Sequence, residues 1–148
     1  MTARAACGLA LAGLVLATAC SEPRSGPVRI VWGRNACDHC AMAISERRFA
    51  AQVRRGPRDV ARFDDFGCAV LWLEGQGGPD VATEFWVMDE AGVEWLDARR
   101  ASYRSGERTP MAYGFAALSA PTAGSVDFEE ARRAILEGER ERASRRRP

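Results

Sequence analysis

Lysine is absent from this 148-residue sequence, and histidine occurs once. The basic residues are all arginine, which fits a GC-rich genome and says nothing about mechanism. No charge of one sign dominates: 21 basic residues stand against 20 acidic ones, so no sequence-wide field points to nucleic acid or acidic membranes. Residues 5–19 are apolar apart from Thr18, but this run is too short for a membrane-spanning helix, which needs about 20 residues. The length excludes a large multidomain enzyme and leaves room for one compact domain or two very small ones.

The apolar run does have the form of an export signal, with Arg4 ahead of it and small residues before Cys20. Leu16-Ala17-Thr18-Ala19-Cys20 resembles a bacterial lipobox, in which lipid is attached to the cysteine and cleavage leaves it first in the mature chain. Ala17 stands where a lipobox usually has leucine, and a plain secretory signal cut near Ala19 is the alternative. Ser21, where aspartate would favour inner-membrane retention, points to an outer-membrane anchor facing the periplasm. The expected organisation is a leader at 1–19, a Pro- and Gly-rich tether at 20–27, a folded region at 28–136 and a disordered charged tail at 137–148.

Within the folded region, residues 28–32, 48–54 and 61–63 have strand character, and Asp64 or Asp65 is placed to cap a helix running to about Leu73. Gly75-Gln76-Gly77-Gly78-Pro79 ends that helix and is the natural boundary between subunits of about 28–78 and 79–136. Beyond it, residues 84–88 and 93–96 read as a hairpin, 115–119 as a strand and 127–137 as an amphipathic helix. Each half is thus expected to be a small sheet backed by one helix, an α+β fold. Met42-Ala43…Phe63-Asp64-Asp65 and Met111-Ala112…Asp127-Phe128-Glu129 suggest a weak repeat, in which Met42 and Met111 would hold related positions. Trp72, Trp86 and Trp95 are expected in the core or in an exposed docking patch.

Of five cysteines, Cys7 lies in the leader and Cys20 would carry lipid, so Cys37, Cys40 and Cys68 remain. An odd number in an oxidising compartment suits poorly a purely structural disulfide framework. Cys37-Asp38-His39-Cys40-Ala41-Met42 packs two thiols, an imidazole and a thioether into one short segment, a soft donor set suited to Cu(I). A structural zinc site wants four Cys or His ligands, and no second CxxC or HxxxH is present. A redox dithiol remains open, although the residues after the motif look like a turn rather than the helix of a thioredoxin-like protein. Cys68 is expected to be a buried small hydrophobe, and the Asp64-Asp65 pair to be structural, since no nucleophile accompanies it.

Taken together, Cys37-x-x-Cys40-x-Met42-x-Ile44, Arg48-Phe49-Ala50-Ala51-Gln52, Phe63-Asp64-Asp65-Phe66-Gly67-Cys68 and Thr109-Pro110-Met111 resemble the NosL family, copper lipoproteins that serve nitrous oxide reductase. The resemblance spans about residues 37–115. It implies tandem ββαβ units of treble-clef-like character and one Cu(I) per chain, delivered toward nitrous oxide reductase with its membrane transporter complex. It also places the metal on Cys40, Met42 and Met111. Cys37 is a second thiolate, a relay or a spectator, and His39 is a ligand or an exposed neighbour. Ala41 departs from the family, which commonly has glycine or another residue at that position, but it removes no ligand. No chemical transformation is called for, so a binding and delivery protein is expected rather than an enzyme. The rivals are a thiol–disulfide oxidoreductase using Cys37 and Cys40, and a structural zinc-binding interaction domain.

Overall fold

The structure, a computed structural model, describes residues 24–146. The leader, Cys20 and the first part of the tether lie outside the described residues.

Strands β1 (Ala51–Gly56) and β2 (Asp59–Phe63) form an antiparallel hairpin, and helix α1 (Phe66–Gly75) follows at once. Strand β3 (Glu84–Met88) returns beside β1, and β4 (Trp95–Asp97) pairs with β3, giving the order β2-β1-β3-β4. Strands β5 (Ser102–Ser105) and β6 (Phe115–Leu118) form a separate two-stranded sheet, and helix α2 (Phe128–Arg145) closes the chain. The fold is therefore α+β with antiparallel sheets. Because β3 lies beyond the glycine cluster yet pairs with β1, the larger sheet runs across the boundary read from composition, and β1-β2-α1-β3 is a complete ββαβ unit.

One core serves both halves. Phe66 of α1 stacks on Tyr103 of β5 with ring centroids 4.4 Å apart and meets Phe85 of β3 at 5.9 Å and Phe128 of α2 at 6.2 Å. Tyr103 is buried, and its hydroxyl donates to the Ala98 carbonyl at 2.6 Å, which removes the cost of burying it. Phe128, Ala131 and Ile135 bury one stripe of α2, the spacing of an amphipathic helix. Trp72, Trp86 and Trp95 are all half-buried.

Three expectations are corrected. Residues 28–32 are not a strand, because side chains take the place of a ladder: the Gln52 amide accepts from Val28 N at 2.8 Å and donates to Val28 O at 2.9 Å. Arg54 donates to Gly26 O at 2.8 Å, which also ties the end of the tether to the sheet. Residues 47–49 form a 3₁₀ turn, so the strand begins only at Ala51. The segment from 137 is not a frayed tail but continues α2 to Arg145. It is held by Arg142–Glu139 and Arg145–Glu141 pairs along the helix and by Arg142, which donates to Ala112 O and lies 4.9 Å over the Tyr113 ring.

Candidate metal centre

The Cys37–Cys40 segment is a tight backbone hairpin. Ala36 and Ala43 pair across it, Cys37 N donates to Met42 O at 2.8 Å, and Ala41 N donates to Cys37 O at 2.9 Å. Closing so short a turn puts Ala41 at φ 63°, the left-handed region that costs an L-residue about 1–2 kcal/mol and costs glycine nothing. Ala41 thus sits where glycine would be relaxed. Ile44, fully buried, anchors the hairpin to the core. Asp38 N donates to Arg62 O at 2.9 Å, and Arg62 N donates to the Asp38 carboxylate at 2.6 Å, fastening the turn to β2.

Strand β2 leads through Asp64 and Asp65 into α1, so the hairpin comes to lie against the start of that helix. Asp65 is the N-cap, its carboxylate accepting from Gly67 N at 2.9 Å. Cys68 sits on the first turn. The result is a cluster in which the sulfurs of Cys37, Cys40 and Cys68 and a carboxylate oxygen of Asp64 all lie within 4.8 Å of one another. Cys37, Cys68 and Asp64 are buried, and Cys40 is half-buried. The Cys40 thiol faces both Asp64 oxygens, at 3.4 and 3.5 Å. All three thiols are free.

Their proton affinities diverge. Cys37 is pulled down to about 7, first because the Cys68 thiol donates to it and also because the Cys40 and Asp64 backbone N–H groups do, against the opposing effect of burial. Cys68 is driven far up as the donor in that same contact, and Cys40 rises to about 11, chiefly through burial. One sulfur is thus ready to act as a thiolate, while the other two hold their protons until a cation replaces them.

A second loop closes on this end of α1. The Thr109 hydroxyl donates to Asp65 at 2.6 Å, and Met111 N donates to the same carboxylate oxygen at 3.0 Å. Thr109 also accepts from Tyr113 N and Gly114 N, at 3.1 and 3.2 Å. Tyr113 fits against Gly67 so closely that a Cβ on that glycine would fall 2.1 Å from the ring.

Of the residues singled out in the sequence, Cys37 and Cys40 are brought together. Met111 is tied through its backbone to Asp65, at the same end of α1, and is half-buried. Met42 stands on the hairpin, 52 % exposed. His39 is exposed on the turn and is not one of the four clustered residues. Met42 precedes β1, and Met111 falls between β5 and β6. Two members of the cluster, Asp64 and Cys68, are expected from the sequence to be a structural cap and a buried hydrophobe; Cys68 is buried as expected, but beside the other two sulfurs. The doubled Asp64-Asp65 was the signal to follow, since a helix has one N-cap and the second carboxylate needs another purpose.

Fold and site together define a small α+β protein with a thiol-rich candidate metal centre at the start of its first helix. No protein-family model matches the chain, and no curated protein matches it in sequence. Among solved structures it is similar to the crystal structure of the copper chaperone NosL from Shewanella denitrificans. The two are 16% identical, with 78% of this chain and 88% of the other covered and a TM-score of 0.53. The chain has a NosL-like fold.

Proposed function

We propose that the protein is a metallochaperone that carries one Cu(I) ion as cargo and hands it to a copper enzyme. The observation that carries this reading is the gathering of three free thiols around Cys40, the one of them that is partly exposed. Sulfur donors select monovalent copper, and a half-open position lets a partner's ligand enter before the first ligands leave. The likeness in fold to a copper chaperone supports it. In this reading Cys40 is the exchange ligand, with the exposed Met42 and the loop-borne Met111 as thioether ligands and Cys37 as a supporting thiolate.

Nitrous oxide reductase and its membrane transporter complex are the proposed recipients, from the sequence resemblance. A lipid on Cys20 would hold the protein at the periplasmic face of the membrane, with the outer membrane favoured. The protein acts by binding and exchange, not catalysis. Burial of Cys37, the most acidic thiol, argues against the rival dithiol enzyme, whose nucleophile must be reached by a substrate disulfide.

The test is an anaerobic titration of the reduced protein with Cu(I) against a competing chelator. One tightly held ion is expected, with affinity falling by at least about tenfold in Cys40→Ser and by less in Met42→Leu and Met111→Leu. Binding indifferent to Cys40 and to both methionines would reject the reading.

A further inference from the structure

The chain enters the fold at a fixed point. Gly26 N donates to the Glu84 carboxylate at 2.6 Å, and Gly26 O accepts from Arg54 at 2.8 Å. Arg54 and Glu84 stand opposite each other on β1 and β3 and are paired at 3.3 Å. The same end of the sheet carries the β1–β2 turn, where Gly56 faces Asp59. It also carries the loop 76–83, fastened by Arg55, which donates to Gln76 at 2.7 Å, and by Thr83 N, which donates to Arg54 O at 2.8 Å. The thiol cluster lies at the other end: Ala51, which starts β1, pairs with Phe63, and Asp64 of the cluster follows directly. The two poles are thus separated by the length of β1, roughly 17 Å at about 3.4 Å per residue.

Six residue steps join Cys20 to Gly26. Such a tether spans about 21 Å at full stretch and about 13 Å when relaxed. Turning the thiol cluster toward an anchoring membrane would lift Gly26 off its surface by roughly 17 Å or more, which leaves the tether near its limit and takes away its conformational freedom. Turning the Gly26 pole toward the membrane leaves the tether relaxed. The charge of that pole agrees. Arg24, Arg58 and Arg99 are exposed there, with Arg99 donating to the Pro79 and Ala82 carbonyls at 2.9 and 3.0 Å. Of the acids at this end, Glu84 is engaged by Arg54 and Asp59 by Arg55 at 2.9 Å, which leaves exposed Asp80 against the three arginines.

We propose that the pole formed by residues 24–26, the β1–β2 turn and the loop 76–83 is the membrane-facing surface of the protein, a basic face for an anionic phospholipid leaflet. This orientation rests on the reading that Cys20 carries lipid. It directs the thiol cluster away from the membrane, so a protein that takes the metal meets the cluster from the far side of the domain rather than along the lipid surface.

The experiment uses the mature protein with its own lipid, its mass checked for the modification at Cys20, in nanodiscs of equal parts phosphatidylcholine and phosphatidylglycerol. A trace of lipid bearing a gadolinium chelate on its headgroup broadens the amide NMR signals of residues near the surface. Broadening is expected at 56–59 and 77–82, and sharp signals at 36–43. Arg24→Gln and Arg58→Gln should each lower the ratio of docked to undocked protein by about fivefold. Arg108→Gln, exposed beside Thr109 at the other pole, should leave it unchanged. The amide spectrum itself shows whether each variant is folded. In the lipidated protein, broadening at 36–43, or broadening spread evenly along the chain, overturns the orientation and leaves the anchor standing. Broadening at 56–59 that ignores both arginine variants overturns the anionic contact. A mature chain without lipid at Cys20 overturns the anchoring reading, and the orientation falls with it.

Discussion

The two helices of this protein begin almost alike and end in different chemistry. Asp65-Phe66-Gly67-Cys68 opens α1 and Asp127-Phe128-Glu129-Glu130 opens α2, each with an aspartate N-cap and a buried phenylalanine directly after it. At α2 the cap accepts from Glu130 N at 2.9 Å, and the two glutamates face solvent, where they favour the positive end of the helix. At α1 the residues in those places are Gly67 and Cys68, both buried, because the hairpin bearing Cys37 and Cys40 and the loop bearing Met111 close over them. The comparison separates a structural solution, which is repeated, from the functional one laid over it once. A cap followed by an aromatic anchor starts the helix in both places. What the helix start faces decides whether it becomes a candidate metal centre.

The sharpest way to break the comparison is to remove both caps in turn. Asp65→Ala takes away the cap and leaves Thr109 and Met111 N without their acceptor, and it should cost on the order of 3 kcal/mol in urea denaturation. Asp127→Ala removes one exposed cap bond and should cost about 1 kcal/mol. Equal losses would mean that the Thr109–Asp65 link adds nothing. Next in size is Gly67→Ala. In a free helix alanine would gain about 1 kcal/mol over glycine. Here its Cβ meets Tyr113, so a loss of about 1–3 kcal/mol is expected, together with faster proteolysis within residues 109–114. Glu129→Ala, at the matching place on α2, should stay within about 0.5 kcal/mol.

A smaller effect is expected at the far end of α2, where Arg142→Ala removes the contact with the Tyr113 ring and the bond to Ala112 O. A loss of about 0.5–1 kcal/mol should appear, largely recovered by Arg142→Lys. The last effect is one of pH. With Cys37 held at about 7 against an ordinary thiol value of 9.0, the folded apo protein gives up this proton more readily than the unfolded chain. Its contribution to stability is therefore lost as pH falls through about 7, and grows as pH rises toward 9. Cys40 and Cys68, both raised, keep their protons while the same thiols in the unfolded chain begin to lose theirs, so they oppose this gain as pH nears 9. Melting temperatures at about pH 6.5 and about pH 8.5 should show the natural protein gaining on Cys37→Ser with rising pH, and parallel profiles would contradict the assignment.

Much of this was legible in the residues. The strand at Glu84–Met88 and the two capped helices follow from alternation, helical spacing and aspartates before apolar runs. Cys37-x-x-Cys40-x-Met42 declared a soft site by composition alone. Other parts left no periodic trace. The chain at 28–32 is held by one amide, Gln52, reaching from another strand, and such a contact depends on position in space rather than on pattern. The polar last turns of α2 look unstructured until Tyr113 is seen beneath Arg142. Strand β5, Ser102–Ser105, is short and is placed by its pairing with β6. Asp64 was hidden by Asp65: two like residues invited one explanation, and only their partners tell them apart.

The account turns on sulfur ligation at Cys40. Copper K-edge X-ray absorption of the complex with one Cu(I) per chain would test it most directly. A first shell made only of sulfur is predicted, losing one sulfur in Cys40→Ser and unchanged in His39→Ala. A shell of nitrogen or oxygen, with imidazole scattering that disappears in His39→Ala, would contradict the account and move the metal to the exposed turn.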